Sequence, residues 1–160
     1  MKKYILVLSS LFIFVILNYS IYQKEQIKTN GEIVFLELRP VDPRSLMQGD
    51  YMRLNYEICD RAIMSANKEN NSGYIVVTIN QNKVGIFRRI YDGETLALGE
   101  KLIHYHMKYK RIHIMPDSFM FQEGHAQHYQ RAKYGVFKFD NSGNYLLTGL
   151  ADEKQHITQP

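Results

Sequence analysis

Residues 40–56 read Pro-Val-Asp-Pro-Arg-Ser-Leu-Met-Gln-Gly-Asp-Tyr-Met-Arg-Leu-Asn-Tyr. The first half is rich in turn formers, and the second half alternates. Pro40 and Pro43 exclude a regular ladder, and Asp42 before Pro43 is biased to an extended or turn conformation. Gly49 is expected at a positive-φ or close-approach position. From Asp50 onward Met52, Leu54, Tyr56 and Ile58 fall on one face, with Tyr51, Arg53, Asn55 and Glu57 on the other. A period of two predicts a half-buried strand.

Working outward, strand-like runs dominate. Residues 32–39 form an apolar strand with a partly wet face. Asp60 through Glu69 changes character: Asp60 is placed as an N-cap, and Ala62, Ile63 and Ala66 recur at helical spacing. Tyr74–Asn80 and Val84–Tyr91 read as a hairpin around Gln81-Asn82-Lys83. Residues 101–115 make the longest alternation, too long for one straight strand, so a bend or bulge is expected near Lys108–Arg111. After the Pro116-Asp117-Ser118 turn, Glu123–Lys133 reads as a short amphipathic helix stopped by Tyr134-Gly135. Val136–Phe139 and Tyr145–Leu150 form the clearest hairpin, and the polar tail after Asp152 is expected to fray.

The amino terminus carries a different signal. From Tyr4 to Tyr22 there is no charge, and Ile5–Leu17 is almost wholly Ile, Leu, Val and Phe. Nineteen helical residues span roughly 28 Å, close to the ~30 Å hydrocarbon thickness of a bilayer. Tyr4, Tyr19 and Tyr22 fit an interfacial aromatic belt. A cleaved signal peptide competes with this, but Asn18-Tyr19-Ser20 is a poor cleavage site, and no cysteine stands nearby for lipid attachment. The short basic start, Lys2 and Lys3, favours an N-in anchor that exports the remainder. The expected localisation is therefore the inner (cytoplasmic) membrane, single-pass, with the C-terminal domain periplasmic.

The fold class is mainly β (α+β): an N-terminal transmembrane helix, then one compact antiparallel β domain with one or two short helices. The expected division is an anchor over residues 1–22, a short stalk over 23–30, a β-rich domain over 31–152 and a flexible tail over 153–160. An apolar share of 45% and an aromatic share of 12% argue against disorder. The sequence pI near 9.1 invites a nucleic-acid reading. Of twenty basic residues, however, Lys2 and Lys3 precede the apolar segment, leaving eighteen against sixteen acids with no long basic stripe. Nucleic acid is therefore not an expected partner. Cys59 is the sole cysteine, so no intrachain disulfide forms, and it reads as a small apolar core residue.

The octapeptide Gly49-Asp50-Tyr51-x-x-Leu54-x-Tyr56 resembles the naming signature of the GDYXXLXY family. The similarity extends to a second block: Glu123 and Gly124 after Phe119 and Phe121, then Tyr129, Ala132, Tyr134-Gly135 and Gly149-Leu150. The resemblance covers essentially the whole chain and implies a membrane-anchored domain of uncharacterised function. It also implies a multi-spanning membrane protein encoded alongside as a partner. No catalytic residue comes with it.

The residues themselves offer four chemistries. Asp42, Arg44, Asp50, Tyr51 and Arg53 cluster around the turn; the arginines could clamp a carboxylate, or the aspartates could simply fix the loop. His104 with His106, and His125 with His128, have chelating spacings, with Glu123 or His113 as a third donor, but match no metal motif. A proline turn before Gly-Asp and a strand also resembles signal-peptidase-like enzymes. There a serine precedes the proline, whereas here Ser45 follows Pro43. The fourth is an apolar-aromatic docking surface around Tyr51 and Tyr56. We expect no cofactor and no metal, and expect a non-catalytic partner-binding or regulatory module; a membrane-anchored hydrolase or metal-binding enzyme is the alternative.

Overall fold

The computed structural model describes residues 2–39, 51–65 and 71–158. Helix α1, Lys2–Asn30, is longer than the apolar segment. Its polar side chains turn back on the helix: Ser9 Oγ donates to the Leu6 carbonyl at 2.9 Å and Asn18 Nδ2 to that of Phe14 at 2.8 Å. Such internal partners are what a polar group needs where water is absent. The helix is long and apolar enough to cross a membrane, and none of its apolar stretch is buried inside the protein. The eight residues expected as a short stalk are helical and continue α1, adding roughly 12 Å. Gly31 ends it, its N–H bonding the Ile27 carbonyl at 2.9 Å.

Two four-stranded antiparallel sheets form the domain. The first has the order β1 (Glu32–Glu37), β8 (Tyr134–Phe139), β9 (Tyr145–Ala151), β10 (Ile157–Thr158). The second has the order β4 (Gly85–Ile90), β3 (Ser72–Ile79), β5 (Glu100–Lys108), β6 (Arg111–Ile114). Among the described residues, a two-stranded ribbon of β2 (Tyr51–Arg53) and β7 (Ser118–Met120) and two helices, α2 (Glu57–Ser65) and α3 (Ala126–Tyr129), accompany the sheets. The main core lies between the sheets. Val34, Leu36, Phe137, Phe139 and Leu150 come from the first, and Ile75, Val77, Ile103, Tyr105 and Ile114 from the second. The opposite face of the first sheet buries a smaller cluster of Phe35, Val136 and Ala151.

Several expectations change. The strand from Asp50 ends at Arg53, because Glu57 and Ile58 already belong to α2; Asp60 lies in the first turn of that helix and is not its N-cap. The alternation nevertheless predicted burial correctly, since Met52, Leu54, Tyr56 and Ile58 are all buried. The helix was expected to reach Glu69; residues 66–70 lie outside the described residues. The expected bend at Lys108–Arg111 is a complete two-residue hairpin turn, with Lys108 paired to Arg111 and both Tyr109 and Lys110 at positive φ. The Glu123–Lys133 helix shrinks to the single turn of α3.

Nor does the tail fray after Asp152. Its carboxylate accepts the N–H groups of Lys154 and His156, both at 2.9 Å, turning the chain back so that Ile157 and Thr158 pair with β9. The hairpins at Asn80–Lys83 and Asp140–Asn144 form as expected. In the latter, Asp140 Oδ1 accepts from the Ser142 and Asn144 amides at 2.8 Å.

Candidate functional site

The two blocks of the motif meet in space. Strand β2 pairs with β7, setting Tyr51 opposite Met120, Met52 opposite Phe119 and Arg53 opposite Ser118. Chain then returns through a bridge between Leu38 and Tyr56. The Tyr56 ring packs edge-on against Phe137 at 5.6 Å, and its hydroxyl donates to the Pro116 carbonyl at 2.8 Å. Burial pushes the Tyr56 phenol far above its ordinary range, so it stays a neutral donor.

Gly135 of the second block explains itself against this ring. A Cβ there would stand 3.1 Å from Tyr56 Cε1 and 3.2 Å from Phe137 Cε2. Phe121 stacks on the buried Tyr129 at 5.1 Å between ring centroids, and Phe119 meets it tilted at 5.4 Å. Gly124 meets a different need: its φ is +82° in open space, where a side chain strains the backbone without touching anything. Glu123 is exposed and Tyr134 half-buried, its ring edge-on to Phe35 at 6.0 Å.

Of the binding candidates, Asp42, Arg44 and Asp50 lie outside the described residues, as do Gly49, the Pro40–Pro43 turn and Ser45. Arg53 is exposed and Tyr51 half-buried. Tyr56 is only 3% exposed, which corrects its expected place on a docking surface. An aromatic that fills a core and spends its hydroxyl on a carbonyl has no face left for a partner. The histidines pair without converging. His104 and His106 lie 4.4 Å apart on β5, with His113 opposite His106, whereas His125 and His128 lie 5.3 Å apart at α3. Among the described residues, no three His, Cys, Asp or Glu side chains are placed to hold a metal ion.

Two clefts flank the motif, divided by α2. The first, about 280 Å³, has Leu54, Ile63 and Ile112 in its lining and Arg39, Lys110 and Arg111 among its charged groups. Arg39 pairs with Asp60 at 3.3 Å. Cys59 also lines it, its thiol pushed up to about 12 by burial and by the Asp60 carboxylate. At neutral pH it is therefore a thiol and not a nucleophilic thiolate.

The second cleft, about 520 Å³, brings together Glu37, Glu57, Arg61 and Tyr134. Burial and the neighbouring Glu57 carboxylate hold Glu37 above the usual carboxylate range. Arg61 Nη2, 2.6 Å from Glu57 Oε1, holds Glu57 below it. Sequence reading missed this pair. Glu57 and Arg61 stand four apart, a visible helical ion-pair spacing, but an N-cap at Asp60 leaves Glu57 outside the helix.

No curated protein matches the chain at a significant level, and no solved structure does. The GDYXXLXY protein family matches residues 13–150, which takes in the second part of the anchor, both blocks of the motif and the sheets that join them. This chain belongs to the GDYXXLXY family.

Proposed function

We propose that this protein is a single-pass inner-membrane protein whose β domain stands on the periplasmic side and binds or regulates a multi-spanning membrane protein without catalysing a reaction. The observation that carries this reading is the continuity of α1. The helix leaves the apolar segment and runs unbroken into the domain, where Ile27 is 5% exposed and Lys138 Nζ donates to the Lys28 carbonyl at 2.6 Å. A flexible stalk would let the domain sample many heights and orientations. A docked helix instead holds one face of the domain at a set height beside the bilayer, which favours repeated contact with an integral neighbour. Lys2 and Lys3 before the apolar run support export of the domain.

The test is affinity purification of the full chain from native membranes in mild detergent, after crosslinking, with mass spectrometry of the captured proteins. A multi-spanning protein should co-purify in stoichiometric amount. Repeated isolation of a lone monomer counts against the proposal.

A second reading, a membrane-anchored hydrolase, draws on the second cleft. Two carboxyl groups whose environments drive them in opposite directions resemble an acid and base pair. It requires that Glu37→Gln reproduce the phenotype of a deletion while membrane abundance and co-purification stay intact. A silent Glu37→Gln removes it.

A further inference from the structure

The β5–β6 turn combines strain, exposure and charge. Tyr109 and Lys110 have φ values of 51° and 60°, a pair of left-handed residues that such a turn ordinarily fills with Asn and Gly. For residues with a full side chain this conformation is strained. Tyr109 gains no burial in return, being 87% exposed, and its ring is covered only by the Lys108 ammonium 5.5 Å from the centroid. Among the described residues, no carboxylate lies within ion-pair distance of Lys108, Lys110 or Arg111. The turn runs directly into the first cleft, which Lys110 and Arg111 line together with Asp117, the Arg39-paired Asp60, the half-buried Ile63 and the buried Leu54 and Ile112.

We infer that this tip and cleft form a docking site for an acidic, partly apolar peptide segment of a partner protein, an inference that rests on the partner-binding reading and names the chemistry of the contact. The volume of about 280 Å³, at the small end of ligand sites, has room for one or two side chains. Lys108, Lys110 and the Arg111 guanidinium then take flanking carboxylates, Arg111 in a forked pair. Tyr109 supplies a rigid aromatic contact at low entropic cost. Asn-Gly, the unstrained choice for this turn, would remove both the ring and one cation.

The full chain in phosphatidylcholine nanodiscs is titrated against labelled nine-residue peptides of alternating Glu and Leu, Lys and Leu, or Glu and Ser. Fluorescence anisotropy should show binding of the Glu-Leu peptide alone. The Lys108→Glu/Lys110→Glu/Arg111→Glu variant should weaken it at least tenfold. The Tyr109→Asn/Lys110→Gly variant should unfold at higher denaturant yet bind at least fivefold more weakly, a divergence that a purely structural turn would not produce. Equal binding of the Lys-Leu peptide, no loss on charge reversal, or charge-dependent binding to phosphatidylglycerol vesicles without peptide binding each overturns the inference. If peptide binding fails while a multi-spanning protein still co-purifies, only this site falls. Absence of co-purification removes the partner-binding reading itself.

Discussion

Replacing Tyr56 by Phe separates a core motif from a binding motif. The substitution keeps the ring that packs on Phe137 and removes only the hydroxyl that donates to the Pro116 carbonyl. A net hydrogen bond contributes about 1 kcal/mol, and a buried carbonyl left without its donor adds to the loss, so Tyr56→Phe should cost about 1–2 kcal/mol. Removing the ring as well, in Tyr56→Ala, should cost ~3–5 kcal/mol, because the cavity is bounded by side chains as buried as Phe137 and cannot collapse fully. For a domain of this size each kcal/mol is roughly 3–5 °C in Tm. With twelve tyrosines and no tryptophan, urea unfolding of the full chain in nanodiscs is best followed by near-UV circular dichroism, which reports tertiary packing of the domain while α1 stays folded. Partner co-purification of the folded Tyr56→Phe protein should be unchanged. A loss below ~0.3 kcal/mol, accompanied by loss of the partner, would refute the assignment of Tyr56 to the core.

Other perturbations test neighbouring parts of the same account. Gly135→Ala should destabilise by ~1–3 kcal/mol in the same assay, because its Cβ would press on the buried rings of Tyr56 and Phe137, neither free to move aside. Cys59 should react with iodoacetamide at pH 8 about a hundredfold or more slowly in the folded protein than in urea, given a thiol pushed up to about 12. His104 is held below its ordinary value by burial and then by His106, so the unfolded chain binds its proton first. Stability should therefore be complete above about pH 6.5 and fall as pH drops through the folded value, and His104→Gln should flatten that slope; screening keeps the effect under ~1 kcal/mol. Gly31→Ala should loosen the docking of α1, since a Cβ would collide with the Ile27 carbonyl and the Lys138 side chain; limited proteolysis near residues 28–33 should accelerate.

Local chemistry carried much of this structure in the sequence. The uncharged run from Tyr4 to Tyr22, the period-two burial of Met52, Leu54 and Tyr56, and the Asx-held turn at Asp140 each follow from residues near one another in the chain. Those interactions have ranges of a few residues and leave a periodic trace. What depended on distant partners left none. Helix α1 continues past Tyr22 because Ile27 finds an apolar socket and Lys138, 110 residues away, bonds its end. Strand β10, only two residues long, is too short to show a period and exists because β9 offers an open edge. For the motif tyrosine the alternation indicated the inward face but not its neighbours. Gly135, Phe137 and Pro116 reach its ring only on folding, and it takes the same folding to leave the cations of the β5–β6 turn facing outward beside a cleft.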